Sequence, residues 1–196
     1  LLENCDISGQ SDTVIKIHNA GTRPQLKGNI IHDCTGAGII VSASAEPLIS
    51  NNDICAHQLD GLVIATGACP TVQGNRIYEC KTTGVLIKGG GLGLIENNDI
   101  RGNAISGIVV CDRGNPRVIN NKVREGQGKG IDVYDKGQGY FEGNEVAHNS
   151  MDGIVIKTGA NPVIKSNKIF RNRGNGLYIF EEGLGEIEGN DVFDNE

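Results

Sequence analysis

Four charged side chains in the second half of the chain are the best candidates for acid and base chemistry: Asp112, Asp132, Asp135 and Lys157. Two carboxyl groups held about 5 to 9.5 Å apart can cleave a glycosidic bond. No His or Arg occupies a matching position beside these residues, and their neighbours along the chain are apolar. We therefore expect ordinary surface charges and no catalytic centre, with glycoside chemistry at these four residues as the alternative.

A second candidate is a possible metal site formed by Cys34, His57 and Cys80, which lie 23 residues apart. Thiolate and imidazole are the ligands that zinc prefers, but zinc sites usually contain close pairs such as C-x-x-C, and none is present here. Later units carry Asn at the same position. We expect a structural role for the three residues, no cofactor, and a metal site only as the alternative.

The third candidate is a binding surface made of residues that also recur every 23 positions. Its members, which we call the outer row, are Ile40, Val63, Leu86, Val109, Asp132, Val155 and Tyr178. Tyr134 and Phe180 lie in a column two residues further on, together with Lys88 and Lys157. Exposed aliphatic side chains with aromatic anchors are typical of a protein-binding surface, whereas aromatic rings can also stack on sugars. The outer row therefore predicts a binding face and leaves the class of ligand open.

These candidates depend on a 23-residue repeat that runs through the whole chain. Asn recurs at positions 29, 52, 75, 98, 121, 144, 167 and 190, and Gly recurs nine residues later in seven of these units. Ile and Val alternate with period two, which predicts short strands with one buried face. Leu is too scarce for a leucine-rich repeat, and no segment has helical periodicity. The pattern predicts an all-β parallel β-helix of about eight coils, with three short strands in each.

Composition excludes several classes of protein. A formal net charge of -6 without a basic run argues against nucleic-acid binding, and no apolar stretch is long enough to span a membrane. The six cysteines are not placed to form disulfides, since stacking puts Cys34 and Cys80 about 10 Å apart. Unpaired thiols and the absence of an N-x-S/T sequon predict an intracellular protein.

Segments such as GIVV (residues 107–110), GNPRVINNKV (114–123) and GQGYFEGNEV (137–146) resemble the CASH-type, pectate-lyase-like right-handed β-helix. The repeats are most similar to those of the F-box-only substrate receptors of ubiquitin ligases. This resemblance implies a right-handed helix that captures a protein substrate. It covers residues 1–196, which we interpret as a single domain taken from a longer array or a larger protein.

We therefore expect a non-catalytic protein-interaction scaffold, with substrate recognition for a ubiquitin ligase as its role. The partner would be a protein segment or protein substrate, with other domains of the same chain nearby. The main alternative is a carbohydrate-active β-helix enzyme or a polysaccharide-binding module, and a spacer between other domains is a third reading.

Overall fold

The apolar columns form three parallel sheets that run the length of a solenoid. The computed structural model describes residues 1–9 and 12–196, and every regular element in that part of the chain is a β-strand of at most six residues. Each coil contributes one strand to each sheet, and successive coils pair in parallel. The predicted β-helix with three short strands per coil is confirmed.

The strands are numbered in chain order. Sheet A contains β1 (Leu2–Glu3), β4 (Gln25–Lys27), β7 (Leu48–Ser50), β10 (Thr71–Gln73), β13 (Leu94–Glu96), β16 (Arg117–Ile119), β19 (Tyr140–Glu142), β22 (Val163–Lys165) and β25 (Glu186–Glu188). Sheet B contains β2 (Asp6–Ser8), β5 (Ile30–His32), β8 (Asp53–Cys55), β11 (Arg76–Tyr78), β14 (Asp99–Arg101), β17 (Lys122–Arg124), β20 (Glu145–Ala147), β23 (Lys168–Phe170) and β26 (Asp191–Phe193). Sheet C contains β3 (Thr13–His18), β6 (Ala37–Ser42), β9 (Leu62–Ile64), β12 (Thr83–Ile87), β15 (Ser106–Val110), β18 (Lys129–Val133), β21 (Ile154–Ile156) and β24 (Leu177–Ile179).

Residues at equivalent positions of the repeat lie over one another. Ile77, for example, pairs with Ile54 on one side and with Ile100 on the other. The first coil is offset by 24 residues instead of 23, because one extra residue is accommodated before β4. This in-register stacking carries every outward side chain into a straight column with a rise of about 4.8 Å per coil.

The inward columns form one continuous core. Ile108, Ile131 and Ile154 are fully buried in successive coils, and Phe141 is the largest fully buried side chain. Burying an Ile side chain contributes about 1.5 to 3 kcal/mol, so each coil is held mainly by its apolar contacts with the coils on either side. The sheets therefore present their outward residues on a rigid support.

The corner between sheets A and B is held by the recurring asparagines. Asn75 donates from its backbone N–H and from Nδ2 to Oδ1 of Asn98, at 2.9 and 3.0 Å. Its Nδ2 also donates to the carbonyl of Ile49 at 2.9 Å. The recurring asparagines form a ladder of stacked amides from Asn29 to Asn190, and the ladder fixes the path of the backbone at this corner.

The corner between sheets C and A is a tight turn with two consecutive residues at positive φ. In one coil these are Asp112 (φ 45°) and Arg113 (φ 59°), and Gly114 N–H donates to the carbonyl of Cys111 at 2.9 Å. Two positive φ values with this hydrogen bond define a type I′ turn. Other coils have glycine at the second of these two positions, as at Gly67 and Gly159. Arg113 adopts the same positive φ although it carries a side chain.

Candidate functional site

The outward face of sheet C is built by simple alternation along each strand. On β18, Ile131 and Val133 are fully buried in the core, so Asp132 points to the opposite side of the sheet. Tyr134 follows in the next outward column. Register pairs Asp132 with Val109 in the preceding coil and with Val155 in the next. The outer row predicted from the sequence is therefore a real column of the fold.

The expectation that this row is an exposed aliphatic surface is wrong for most of its length. Val63, Val109 and Val155 are only 7%, 5% and 0% exposed, although none of them belongs to the inner core cluster. Ile40 and Leu86 are half-buried. Side chains stacked above and below at strand spacing, and the columns on either side, leave little room for water to reach a short branched side chain.

Aromatic rings gather at the end of the row. The rings of Tyr178 and Phe180 stack with centroids 4.4 Å apart and an angle of 21° between their planes. Nζ of Lys157 lies 5.5 Å from the ring centroid of Tyr134 and 5.6 Å from that of Phe180. The cluster therefore places ring faces beside a cation. We call Tyr134, Lys157, Tyr178 and Phe180 the aromatic platform.

Protonation on this face is set by burial. Burial, followed by the neighbouring Cys111, raises the pKa of Tyr134 to about 12, so its hydroxyl remains a hydrogen-bond donor at neutral pH. Burial also raises the pKa of the Cys111 thiol. Because the thiolate is the reactive form of cysteine, this shift makes Cys111 a weaker nucleophile.

Asp132 is the one member of the predicted carboxylate group that is buried. Lys129 Nζ donates to Asp132 Oδ2 at 2.6 Å, and the two side chains are 20% and 10% exposed. Asp132 Oδ1 has no hydrogen-bond partner in the described part of the chain. A buried carboxylate oxygen without a partner costs free energy, so this position is not optimised for stability. Lys129 was missed by the sequence analysis, because it precedes the row by three residues.

The structure does not assemble the rest of that carboxylate group. Asp112 and Asp135 lie on the turn between sheets C and A, both at positive φ and both exposed. Asp135 lines a separate cavity of about 430 Å³ together with Lys136 and Thr158. Asp135 is only three positions from Asp132 in the sequence, but the type I′ turn directs the chain away from the sheet face.

Cys34, His57 and Cys80 lie in one buried column at the corner between sheets B and C. Cys34 Sγ is 2.9 Å from Nδ1 of His57, while the backbone N–H of Cys80 donates to Asn103 Oδ1 at 3.0 Å. Burial lowers the pKa of His57 to about 4 and raises that of Cys80 to about 12. Within residues 1–9 and 12–196 no group of three His, Cys, Asp or Glu side chains is arranged to hold a metal ion.

Two lysines on the sheet C face have no carboxylate partner among the described residues. Lys88 and Lys157 lie in the column that contains Tyr134, and neither forms a salt bridge with any described residue. By contrast, Asp60 accepts hydrogen bonds from the hydroxyl of Thr82 and the N–H of Thr83, at 2.6 and 3.1 Å. In a chain with a net charge of -6, unpaired cations beside aromatic rings favour an anionic ligand.

Comparison with known families bears on the whole chain. A model described as the right handed beta helix region matches residues 1–123 and 106–196. The chain belongs to this right-handed beta-helix family. The match confirms the predicted right-handed helix, and a search of curated protein sequences gives no significant match.

Solved structures of another β-helix protein superpose well on this right-handed β-helix. The crystal structure of the periplasmic alginate epimerase AlgG matches with a TM-score of 0.83 and 17% identity over 90% of this chain and 47% of that one. A double mutant of AlgG matches with a TM-score of 0.83, 16% identity, and coverage of 92% and 50%. The chain thus spans about half the length of these structures, and at this identity the likeness establishes the fold.

These comparisons also correct two expectations. The intracellular location is wrong, because the solved structures that this β-helix resembles are those of a periplasmic enzyme. Unpaired cysteines misled the sequence analysis, since a thiol buried in a core needs no reducing compartment to remain free; four of the six are buried. The similarity to F-box receptors is supported only at the level of the β-helix fold. Among the described residues, no helix is long and apolar enough to cross a lipid bilayer.

Proposed function

We propose that this β-helix binds an anionic polysaccharide along the outward face of sheet C. The observation that carries the proposal is the aromatic platform, in which Lys157 lies between the rings of Tyr134 and Phe180 and has no carboxylate partner among the described residues. Tyr178 and Phe180 offer ring faces on which a sugar ring can stack, and Lys157 offers a charge for a uronate carboxylate.

The arrangement of charges favours binding over glycoside hydrolysis. Hydrolysis needs two carboxyl groups on either side of the scissile bond. Asp132 is paired with Lys129, Asp60 is bonded to Thr82 and Thr83, and Asp112 lies on the turn. Asp135 and Glu181 directly follow Tyr134 and Phe180, but they lie on turns between sheets C and A, as Asp112 does. The unpaired lysines of the sheet face suit a polyuronate.

The fold supports the same ligand class. AlgG is an alginate epimerase, and alginate is a polyuronate, so a protein with this fold acts on an anionic polysaccharide. We extend this to a periplasmic or extracellular location for the present chain, where such polymers occur. Capture of a protein segment, the first expectation, required an exposed aliphatic row, and the burial of Val109 and Val155 removes that support.

Affinity electrophoresis tests the proposal with a panel of polymers. We expect alginate or polygalacturonate in the gel to retard the protein, and neutral dextran or hydroxyethyl cellulose to retard it much less. Retardation by polyuronate should weaken as salt is added, because the contacts are ionic. Equal retardation by neutral and anionic polymers, or none by either, would refute the assignment.

A further inference from the structure

The corner between sheets B and C carries a groove that belongs to neither sheet face. Its volume is about 450 Å³, within the size range of ligand sites. Its floor contains Ala56, Gly102 and Ala104. Glu79 and Glu125 occupy, in other coils, the position that Ala56 and Gly102 occupy here. Glu79 itself lines the groove, so Ala56 and Gly102 open space in the coils on either side of it.

Polar side chains along the groove are free to bind a ligand. Gln58, Lys81 and Gln127 line it and are exposed, and none has a side-chain hydrogen bond or ion pair with any described residue. Each glutamine amide can donate and accept at once, and the lysine can donate. Spaced along one wall at about 4.8 Å per coil, these groups can bond the hydroxyls of successive sugar units.

The charge of the groove differs from that of the sheet C face. Asp33 and Glu79 line the groove beside Lys81, so carboxylates outnumber cations. Asp33 Oδ2 lies 2.7 Å from Nδ1 of His32, whereas Glu79 forms no ion pair with a described residue. A uronate carboxylate would meet a like charge here. The groove therefore suits uncharged sugar units.

Apolar side chains follow the groove at a regular interval. Leu59, Ile105 and Met151 are 49%, 56% and 50% exposed, and each is two coils of 23 residues from the next. Leu59 directly follows Gln58, and Ile105 directly follows Ala104, so both stand beside the groove. Their spacing of about 9.6 Å, two strand spacings, is fixed by the solenoid. A regular array of apolar contacts suits a polymeric ligand with apolar C–H faces.

We propose that this corner groove is a second saccharide site, which binds neutral units of a linear oligosaccharide. Gln58, Lys81 and Gln127 hydrogen-bond the hydroxyls, while Leu59 and Ile105 pack against ring C–H groups. The site is separated from the aromatic platform by the edge of sheet C, and it does not depend on the platform's ligand. It gives the protein a means of holding a neutral chain while sheet C holds an anionic one.

Saturation-transfer NMR and calorimetry with cellohexaose, mannohexaose and hexamannuronate test this site. We expect at least one neutral hexasaccharide to bind to the wild-type protein. The double variant Gln58→Ala with Gln127→Ala and the single variant Ala104→Leu, which fills the floor, should each weaken that binding at least tenfold. Leu92→Ser is the matched control, because it removes an exposed apolar side chain at the corner between sheets C and A, away from the groove, and it should leave the affinity unchanged.

Lys157→Glu separates this proposal from the function of sheet C, because it should leave binding of the neutral hexasaccharide unchanged. The proposal is overturned if no neutral hexasaccharide binds, or if Gln58→Ala with Gln127→Ala and Ala104→Leu leave binding unaltered. It is also overturned if hexamannuronate is the ligand that the groove variants affect. A circular dichroism melt within 2 °C of wild type shows that each variant retains the fold; should Ala104→Leu fail this check, the glutamine variant decides alone.

Discussion

Asn121 Oδ1 accepts two hydrogen bonds from Asn98, one from its backbone N–H at 3.0 Å and one from its Nδ2 at 2.9 Å. Asn121 in turn donates from Nδ2 to the carbonyl of Ile95 and to Oδ1 of Asn144, at 2.8 and 3.0 Å. Both asparagines are at most 2% exposed. The amide therefore links three successive coils, from Asn98 to Asn144.

Replacing Asn121 with Ala should lower the free energy of unfolding by about 3 kcal/mol, because it leaves the buried N–H and Nδ2 of Asn98 without their acceptor and removes the bond to the carbonyl of Ile95. Urea denaturation followed by circular dichroism measures the change. Asn115→Ala is the matched control, since Asn115 is exposed and its side chain forms no hydrogen bond with a described residue. A loss of equal size in both variants would contradict a structural role for the ladder.

Arg113→Gly should raise the free energy of unfolding by about 1 kcal/mol. Arg113 has φ 59°, a conformation that costs an L-residue with a side chain about 1 to 2 kcal/mol and costs glycine little. Its side chain is 78% exposed and lies 3.9 Å from Asp112, so little is lost on removal. Thermal melts should show a higher midpoint. Gly159→Ala, at φ 67° on an equivalent turn, should show the opposite shift.

His57 should make the fold sensitive to acid. Burial lowers its pKa to about 4, below the unfolded value of 6.5, so the unfolded chain takes up a proton that the folded chain does not. The contribution of neutral His57 to the free energy of unfolding is complete above pH 6.5. About 3 kcal/mol of it is lost as the pH falls to about 4. His57→Asn should remove this slope. His32, whose pKa is raised by hydrogen bonds with Asp33 and Asp6, contributes equally in both proteins.

The pH experiment compares the urea midpoints of wild type and His57→Asn at pH 7 and pH 4.5. Because other titrating groups are common to both proteins, the difference between them isolates His57. The variant should lose less stability than wild type on acidification. An equal loss of stability in the two proteins between pH 7 and pH 4.5 would show that His57 titrates normally in the folded state.

Asp132→Val should stabilise the protein by about 1 to 2 kcal/mol, because it removes a buried carboxylate oxygen that has no partner among the described residues. It also makes the column of valines at positions 109 and 155 continuous. Lys129 is 20% exposed and can extend its charge into water. Asp60→Val is the contrasting variant. Asp60 accepts hydrogen bonds from Thr82 and Thr83, so its replacement should lower the free energy of unfolding. If Asp132→Val also destabilises, the Lys129 ion pair contributes more than its desolvation costs.

Much of the fold could be predicted from the sequence because stacking makes the sequence periodic. Asn98 and Asn121 bond each other only when they lie one coil apart, so selection for the ladder leaves an Asn every 23 residues. The alternation of Ile and Val identifies strands for the same reason. The insertion in the first coil was also visible, since one extra residue shifts every later column.

The site was harder to predict because accessibility is not periodic. Val109 and Val155 occupy outward positions, yet they are buried because side chains in the neighbouring columns cover them. Lys129 and Asp132 lie three positions apart on β18, where strict alternation would place their side chains on opposite faces, yet they form an ion pair. The corner groove results from Ala56, Gly102 and Ala104 being small in particular coils, which is a departure from the repeat. A groove that depends on such departures from the repeat cannot be found from the repeat itself.

Calorimetry of an oligouronate with wild type, Lys157→Glu and Lys122→Glu tests the proposed function most directly. Lys157 belongs to the aromatic platform, whereas Lys122 is an exposed lysine on sheet B that provides the same change of charge elsewhere. We predict that Lys157→Glu weakens binding at least tenfold, since a hydrogen bond to a charged group contributes about 1.5 to 3 kcal/mol, and that Lys122→Glu changes it less than twofold. Equal affinities for all three proteins would contradict a polyuronate site on sheet C.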